Sequence, residues 1–133
     1  MSETLKTYLL VAVGSMVGGV GRFWISGLVT QRLGRIIPWD ILLINITGSL
    51  LIGFLAAITE PDGRLFHLRT VGINLLMIGL CGGYTTFSSF SLGTLRLAQD
   101  REWLYAIGYV TGSVFFCLLA VWLGYMIGQA LNR

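Results

Sequence analysis

The chain has 133 residues, of which 55% are hydrophobic and only 11% are charged, and its formal net charge is +3. Soluble domains carry about a quarter charged residues, so this composition excludes a soluble globular domain and is typical of an integral membrane protein. Crossing a bilayer takes roughly 20 apolar residues per helix. Four stretches qualify, at residues 8–29, 41–58, 70–97 and 104–129. We therefore predict an all-α, multi-pass membrane protein whose single transmembrane domain covers residues 1–133.

The loop charges give almost no signal for orientation. With four spans, the N-terminus, the second loop and the C-terminus share one side of the membrane, and the cytoplasmic side normally carries the excess of Lys and Arg. Here one side has Lys6, Arg64, Arg69 and Arg133, and the other has Arg32, Arg35, Arg96 and Arg101. Two interpretations stay open: an orientation fixed by other cues, or insertion both ways with pairing as an antiparallel homodimer. No basic stripe is present, so the positive charge does not indicate a nucleic-acid partner.

The first span combines small residues with a charge. Gly14 and Gly18 are four residues apart, a spacing that lets membrane helices approach closely. Arg22 lies about two thirds along the span, and an arginine inside a membrane seldom faces lipid. Its side chain either extends to the interface beside Trp24 or faces an aqueous vestibule, where it raises the local concentration of anions.

The second span carries a lone amide, Asn45. An amide facing lipid would be left without hydrogen bonds, so Asn45 must face protein or water. Its side chain either forms an interhelical hydrogen bond or donates its NH2 group to a passing anion. Asn45, Gly48 and Ser49 share one small, polar helix face.

The third span is interrupted by the polar sequence CGGYTTFSSF, residues 81–90. Gly82 and Gly83 favour a break in the helix, because glycine weakens helices and permits unusual dihedral angles. Thr85 and Thr86 can cap a helix that restarts there. A break at mid-membrane is tolerated only where it is buried in protein or lines water. It would free backbone carbonyls that suit a hard cation such as sodium, and it would point a positive helix N-terminus into the membrane interior.

Aromatic rings and hydroxyls follow this interruption. Phe87 and Phe90 lie on one side of the restarted helix, and the positive edge of a phenylalanine ring is favourable to a small anion. Two phenylalanines at this spacing are, however, ordinarily a packing pair. Ser88 and Ser91 are also three residues apart, and such hydroxyls often bond carbonyls of the preceding turn.

The fourth span repeats a polar side chain every four residues, at Tyr109, Ser113 and Cys117, which we call the polar track. It serves either interhelical hydrogen bonding or a pore. No Asp or Glu lies clearly inside a span, although proton-coupled transporters usually need one. No nucleophile–base pair or metal-ligand spacing occurs, so we do not expect an enzyme. The balance of donors, neutral hydroxyls and one arginine favours an anion over a cation or a proton.

These motifs resemble those of the Fluc (CrcB) family of fluoride channels over essentially the whole chain. The likeness is carried by GRFW in the first span, PWDILLINITGSLLIG in the second and GLCGGYTTFSSFS in the third. The resemblance implies a fluoride-selective passive channel in the bacterial inner membrane that lowers cytoplasmic fluoride. It implies an antiparallel, dual-topology homodimer in membrane lipid, with the third helix broken at mid-membrane and a structural sodium ion at the dimer centre.

The resemblance also implies roles for single residues. Backbone carbonyls of Gly82 and Thr85 would hold the sodium ion, and the ring edges of Phe87 and Phe90 would contact fluoride. The other implied pore positions are Asn45, Arg22, Ser113, Tyr109, Thr86 and Ser88.

Two positions depart from the family pattern. Gly93 stands where many members have a glutamate, and Cys117 stands where a serine of the polar track is expected. The alternative to a channel is a small dual-topology secondary exporter of the small multidrug type, which has similar length and span number. The missing intramembrane glutamate argues against it. A structural subunit of a larger complex would transport nothing when purified alone.

Overall fold

The computed structural model describes residues 2–61 and 69–132. Within these ranges the secondary structure is entirely helical, which confirms the predicted fold class at that level. The helices are α1 (Glu3–Leu33), α2 (Trp39–Ile58), α3 (Arg69–Val71), a π-helical segment π1 (Gly72–Cys81), α4 (Gly82–Tyr84), α5 (Phe87–Gln99) and α6 (Trp103–Asn132).

Among the residues that the structure describes, four helical stretches are long and apolar enough to cross a membrane: Glu3–Leu33, Trp39–Ile58, Arg69–Gln99 and Trp103–Asn132. Each of the four predicted spans lies inside one of them. The chain is therefore a multi-pass membrane protein. Two arginines of the charge comparison, Arg64 and Arg133, lie outside the described residues.

The third stretch is a helix in two parts. From Arg69 the chain stays helical through Tyr84, and Thr85 (φ −81°, ψ 159°) and Thr86 (φ −154°, ψ 115°) are extended before α5 begins. The prediction that the chain leaves the helix at Gly82 and Gly83 is wrong, because Gly82 has ordinary helical angles (φ −64°, ψ −38°). The glycine pair serves close packing instead: a Cβ at Gly83 would lie 2.5 Å from the carbonyl oxygen of Ser15 on α1.

Small residues also set the distances between the other helices. A Cβ at Gly14 would lie 2.1 Å from the carbonyl oxygen of Leu75, and one at Gly18 would lie 2.2 Å from that of Leu80. Real Cβ atoms do not approach so closely, so α1 can reach π1 only through glycine. This confirms the small-residue packing predicted for the first span. α2 packs mainly on α6 by the same means, at Gly53 and Gly124.

The interior of the single chain is small, and its surface is apolar. Ile44 and Cys81 are almost fully buried, at 0% and 1% exposed, while Phe23 is 82% exposed. Most of the large apolar side chains of α1 and α6 face outward in the same way. This inversion is expected where lipid or another membrane helix replaces water as the surroundings.

Candidate functional site

Asn45 on α2 holds the interrupted stretch of the third helix by two hydrogen bonds. The Thr86 N–H donates to Asn45 Oδ1 at 2.9 Å, and Asn45 Nδ2 donates to the Thr86 carbonyl oxygen at 3.1 Å. One amide side chain thus satisfies both backbone groups of an extended residue, as a neighbouring strand would. Of the two interpretations open for Asn45, the interhelical bond is present. The second N–H of its NH2 group has no partner among the described residues.

The two threonines divide the work of ending one helix and starting the next. The N–H and the hydroxyl of Thr85 both donate to the Cys81 carbonyl oxygen, each at 2.9 Å, and so close the first part. Thr86 is the N-cap of α5, since its Oγ1 accepts from the Ser89 N–H at 3.2 Å. Its hydroxyl also lies 3.1 Å from the hydroxyls of both Ser88 and Ser89. Capping by Thr86 is therefore confirmed, and Thr85 serves as the end of the preceding helix.

The interruption leaves backbone groups of both signs without partners. Within the described chain, no hydrogen bond reaches the carbonyl oxygens of Gly82 or Thr85. The N–H groups of Phe87 and Ser88, in the first turn of α5, are likewise unengaged. A helix end carries partial negative charge on its last carbonyls, and a helix start carries partial positive charge on its first N–H groups. The carbonyl group suits a hard cation, and the N–H group suits an anion.

An aromatic row leads from the surface to α6. The ring centroids of Phe87 and Phe90 are 5.3 Å apart at an interplanar angle of 46°, and those of Phe90 and Tyr109 are 5.3 Å apart at 38°. Phe87 is 78% exposed, whereas Tyr109 is 4% exposed. None of these rings is stacked parallel on its neighbour, so ring edges with their positive potential are available along the row.

Two hydroxyls of the polar track are buried without partners. Tyr109 Oη and Ser113 Oγ form no hydrogen bond in the described part of the chain. Leaving a buried polar group unsatisfied costs about 1–3 kcal/mol, so such groups are rare unless a ligand or water completes them. Interhelical hydrogen bonding, the first alternative for the polar track, is not what these two hydroxyls do.

A cleft of about 320 Å³ brings most of the predicted site together. Its lining includes Asn45, Gly82, Thr85, Thr86, Phe87, Phe90, Ser113 and Cys117. Ile52 and Val114 complete an apolar part of the wall that no sequence signal marks. Gly48 also lines it and makes room for the interruption, since a Cβ there would lie 2.2 Å from Thr85 Cγ2.

Three predicted residues lie elsewhere. Tyr109 does not line the cleft but packs on Phe90, which does, and Ser88 is exposed next to Thr86. Arg22 is half-buried on α1, does not line the cleft, and forms no hydrogen bond or ion pair with the described residues. The structure of one chain therefore does not bring Arg22 to the other site residues.

A second cavity, of about 750 Å³, lies at the end of α5, and we call it the vestibule. Its charged lining residues are Arg35, Asp40, Arg96, Asp100 and Glu102. Gly93 forms part of its wall, and a Cβ at Gly93 would lie 2.8 Å from Pro38 Cγ and 3.7 Å from Tyr109 Cε1. Gly93 therefore lies where the wall of the vestibule comes close to Tyr109, the inner ring of the aromatic row.

The fold and the cleft define a class: a small, multi-pass helical membrane protein with two buried hydroxyls that have no partner in the described part of the chain. The sequence model of the family described as CrcB-like protein, Camphor Resistance (CrcB) matches residues 9–125, and the chain belongs to this family. It is 50% identical over 129 residues to the fluoride-specific ion channel FluC of Paramagnetospirillum magneticum, covering 97% of this chain and 100% of the relative. It is 48% identical over 126 residues to the FluC of Methylocella silvestris, covering 95% of each chain. It is 48% identical over 128 residues to the FluC of Opitutus terrae, covering 96% of each.

Proposed function

We propose that this chain is a fluoride-specific ion channel that conducts fluoride passively out of the cell and is not an enzyme. Relatives at 48–50% identity that span nearly the whole chain are named fluoride-specific ion channels. The structural observation that carries the proposal is the buried, unpartnered Ser113 hydroxyl in a cleft that also holds Asn45 and Phe90. The small multidrug-type exporter, the earlier alternative, has no observation in its favour.

The pathway has to replace the water that fluoride loses. A bare ion in an apolar interior is very costly, so several donors must be ready at once. Here the donors are the hydroxyls of Ser113 and Tyr109, the free N–H of Asn45, and the ring edges of Phe87 and Phe90. The hydroxyls of Thr86 and Ser88, where α5 begins, are bonded to each other, and that of Thr86 also donates to Ser89, so they would serve as further donors only by exchanging these bonds. Among the described residues no carboxylate lines the cleft, so it holds no negative charge that would repel an anion.

The working unit in this proposal is an antiparallel, dual-topology homodimer in the bacterial inner membrane. Gly82 and Phe87 flank the interruption, and both are exposed in the single chain. An interrupted helix facing lipid would leave backbone groups unsatisfied at mid-membrane. A second copy seated on this face removes that cost, and the even loop charges permit both orientations. In the dimer, Arg22 would act from α1 by raising the anion concentration at the pore mouth.

A structural sodium ion at the dimer centre fits the residues present. The carbonyl oxygens of Gly82 and Thr85 have no hydrogen-bond donor among the described residues, and hard cations prefer oxygen ligands. When bound, sodium would neutralise these helix-end carbonyls from both subunits. The residues of the chain supply the rest: Thr85 ends the helix so that its carbonyl is free, and Asn45 holds the extended backbone next to it.

The test is fluoride efflux from liposomes that contain the purified chain and potassium fluoride. Fluoride efflux alone would build up a membrane potential that stops further efflux. Valinomycin removes this potential by carrying potassium out, and a fluoride electrode records the fluoride that appears outside. We expect rapid fluoride efflux and no comparable chloride efflux from matched chloride-loaded liposomes. Absent fluoride efflux, or chloride efflux at the same rate, would contradict the proposal.

A further inference from the structure

We propose that the cleft holds a binding site for a soft, thiophilic metal ion at Cys117, and that an ion bound there blocks conduction. The blocking effect rests on the proposed fluoride channel, whereas the binding does not. Soft ions such as Hg²⁺ and Ag⁺ prefer thiolate ligands, and the thiolate is the form of cysteine that binds metal.

Both cysteines of the chain line the same cleft, and both are free thiols. They differ in access. Cys81 is 1% exposed at the end of π1, whereas Cys117 on α6 is half-buried. The Cys117 thiol is therefore the more accessible of the two.

A second observation places a ligand at this wall. Ser113 lies one helical turn before Cys117 and lines the same cleft, and its Oγ is buried without a hydrogen-bond partner. Residues four apart lie on the same face of a helix, so the hydroxyl and the thiol face one space. The unpartnered hydroxyl oxygen can serve as a second ligand. No Lys, Arg or His is present in the described lining to repel a cation.

The chemistry is a ligand exchange without a redox step. The S–H bond of Cys117 breaks, its proton goes to the buffer, and the sulfur lone pair forms the S–Hg bond: RSH + Hg²⁺ gives RS–Hg⁺ + H⁺. The bound ion then occupies the space between Asn45, Phe90 and Ser113. Its positive charge, in surroundings of low dielectric, also retains any fluoride that reaches it.

The experiment uses the full chain in liposomes, with mercuric nitrate as the probe. Fluoride efflux is recorded first without mercury, and this step alone tests the proposed function. Mercury is then added, and we expect efflux to fall about tenfold or more and to recover with excess dithiothreitol, because thiolate–mercury bonds exchange with added thiol. Mercury retained by the purified protein is measured separately by elemental analysis, which reports binding even if no fluoride moves.

Cys117→Ser tests the assignment, and Cys81→Ser is the matched control. Each variant is compared with its own rate before mercury. We expect the block to disappear in Cys117→Ser, together with about one bound mercury per chain, and to persist in Cys81→Ser. The proposal is overturned if Cys117→Ser is blocked as strongly as the parent chain, or if the parent binds mercury at Cys117 without losing flux. Cys117→Ala gives the same comparison should the serine variant not fold.

Discussion

Asn45 and Thr86, which are 41 residues apart in sequence, exchange two hydrogen bonds of 2.9 Å and 3.1 Å through one side-chain amide and one backbone residue. Backbone groups in an apolar medium must find partners inside the protein. Two extended residues in a membrane-spanning helix are tolerated here because α2 supplies the partner. Asn45 is therefore a structural residue of the interruption, besides the role of ion donor proposed for it.

Asn45→Ala should destabilise the fold. The substitution removes both hydrogen bonds and leaves the buried Thr86 N–H without an acceptor, so we expect a loss of about 2–4 kcal/mol in the free energy of unfolding. Asn45→Asp keeps the acceptor but loses the donor to the Thr86 carbonyl, and it should also be less stable than the parent. Unfolding in mixed micelles measures both. The control is Ser49→Ala, in the same cleft, and an equal loss there would contradict this role of Asn45.

Ser113→Ala should lower fluoride flux without lowering the stability of the protein. Removing an unsatisfied buried hydroxyl leaves the free energy of unfolding unchanged or raises it, because no hydrogen bond is lost. Fluoride efflux should fall about tenfold, since one donor that replaces water of hydration is gone. Thr111→Ala, at an exposed site two residues earlier, is the control and should change neither quantity. If Ser113→Ala is less stable yet conducts fluoride normally, the hydroxyl has a structural role and does not serve as a donor to the ion.

Phe87→Ile and Phe90→Ile should each stop fluoride efflux while the dimer persists. Isoleucine keeps apolar volume but has no positive ring edge. Flux is measured in liposomes, and assembly is measured by cross-linking or size-exclusion chromatography. Phe116→Ile is the matched control, because Phe116 pairs with Phe115 at the same 5.3 Å centroid distance and lies outside the cleft lining. If both cleft variants conduct like the control, the ring edges have no role.

Gly93→Ala should lower the thermal stability of the protein. The new Cβ would lie 2.8 Å from Pro38 Cγ, so the proline ring or the start of α2 must shift. Gly108→Ala is the control, since nothing lies within 4 Å of a Cβ there and alanine is the better helix former by about 1 kcal/mol. Gly93→Glu, which adds a longer and charged side chain at the same point, should disturb packing at least as much and should alter flux. Thermal midpoints above that of the parent chain for both Gly93 variants would show that Pro38 and the start of α2 move aside without cost.

Exchanging sodium for a large organic cation should weaken the dimer. The carbonyl oxygens of Gly82 and Thr85 would then have no cation to bind, because the organic cation is too bulky to approach them. We expect more monomer at a given dilution in N-methylglucamine chloride than in sodium chloride. Potassium chloride at the same ionic strength controls for salt screening. Equal dissociation in all three salts would argue against a structural sodium ion.

Much of the site could be predicted from the sequence, because a polar group without a hydrogen bond is energetically costly inside a membrane. That rule singled out Asn45, and the helix-capping preference singled out Thr86. The partner of Asn45 was beyond reach, since a contact over 41 residues depends on how α2 packs. The glycine pair does not locate the interruption, because glycine permits both unusual dihedral angles and close packing. At Gly83 the glycine serves close packing, because the α1 backbone lies too near for a Cβ.

Other features had no sequence signal. Gly93 of α5 lies so close to Pro38 that an added Cβ would be 2.8 Å from the proline ring. Nothing in the sequence indicates this close approach between α5 and the residue before α2. Arg22 could be recognised as an unusual charge, but its relation to the cleft depends on a neighbouring subunit or on the membrane surface. Tyr109 and Ser113 could be placed on one helix face, yet only three-dimensional packing reveals that both hydroxyls lack partners.

The amide bridge between Asn45 and Thr86 also has a mechanical consequence. α2 carries Asn45 and packs along α6, which carries Ser113, through glycines that leave no slack between the two backbones. The interrupted helix is therefore anchored to the same rigid pair that presents the hydroxyl. The groups that we propose to bind the ion therefore come from three spans whose spacings are fixed, with no hinge between them. Discrimination by ionic radius needs such stiffness, because a pliable ring of donors would contract or widen to suit whichever halide arrived.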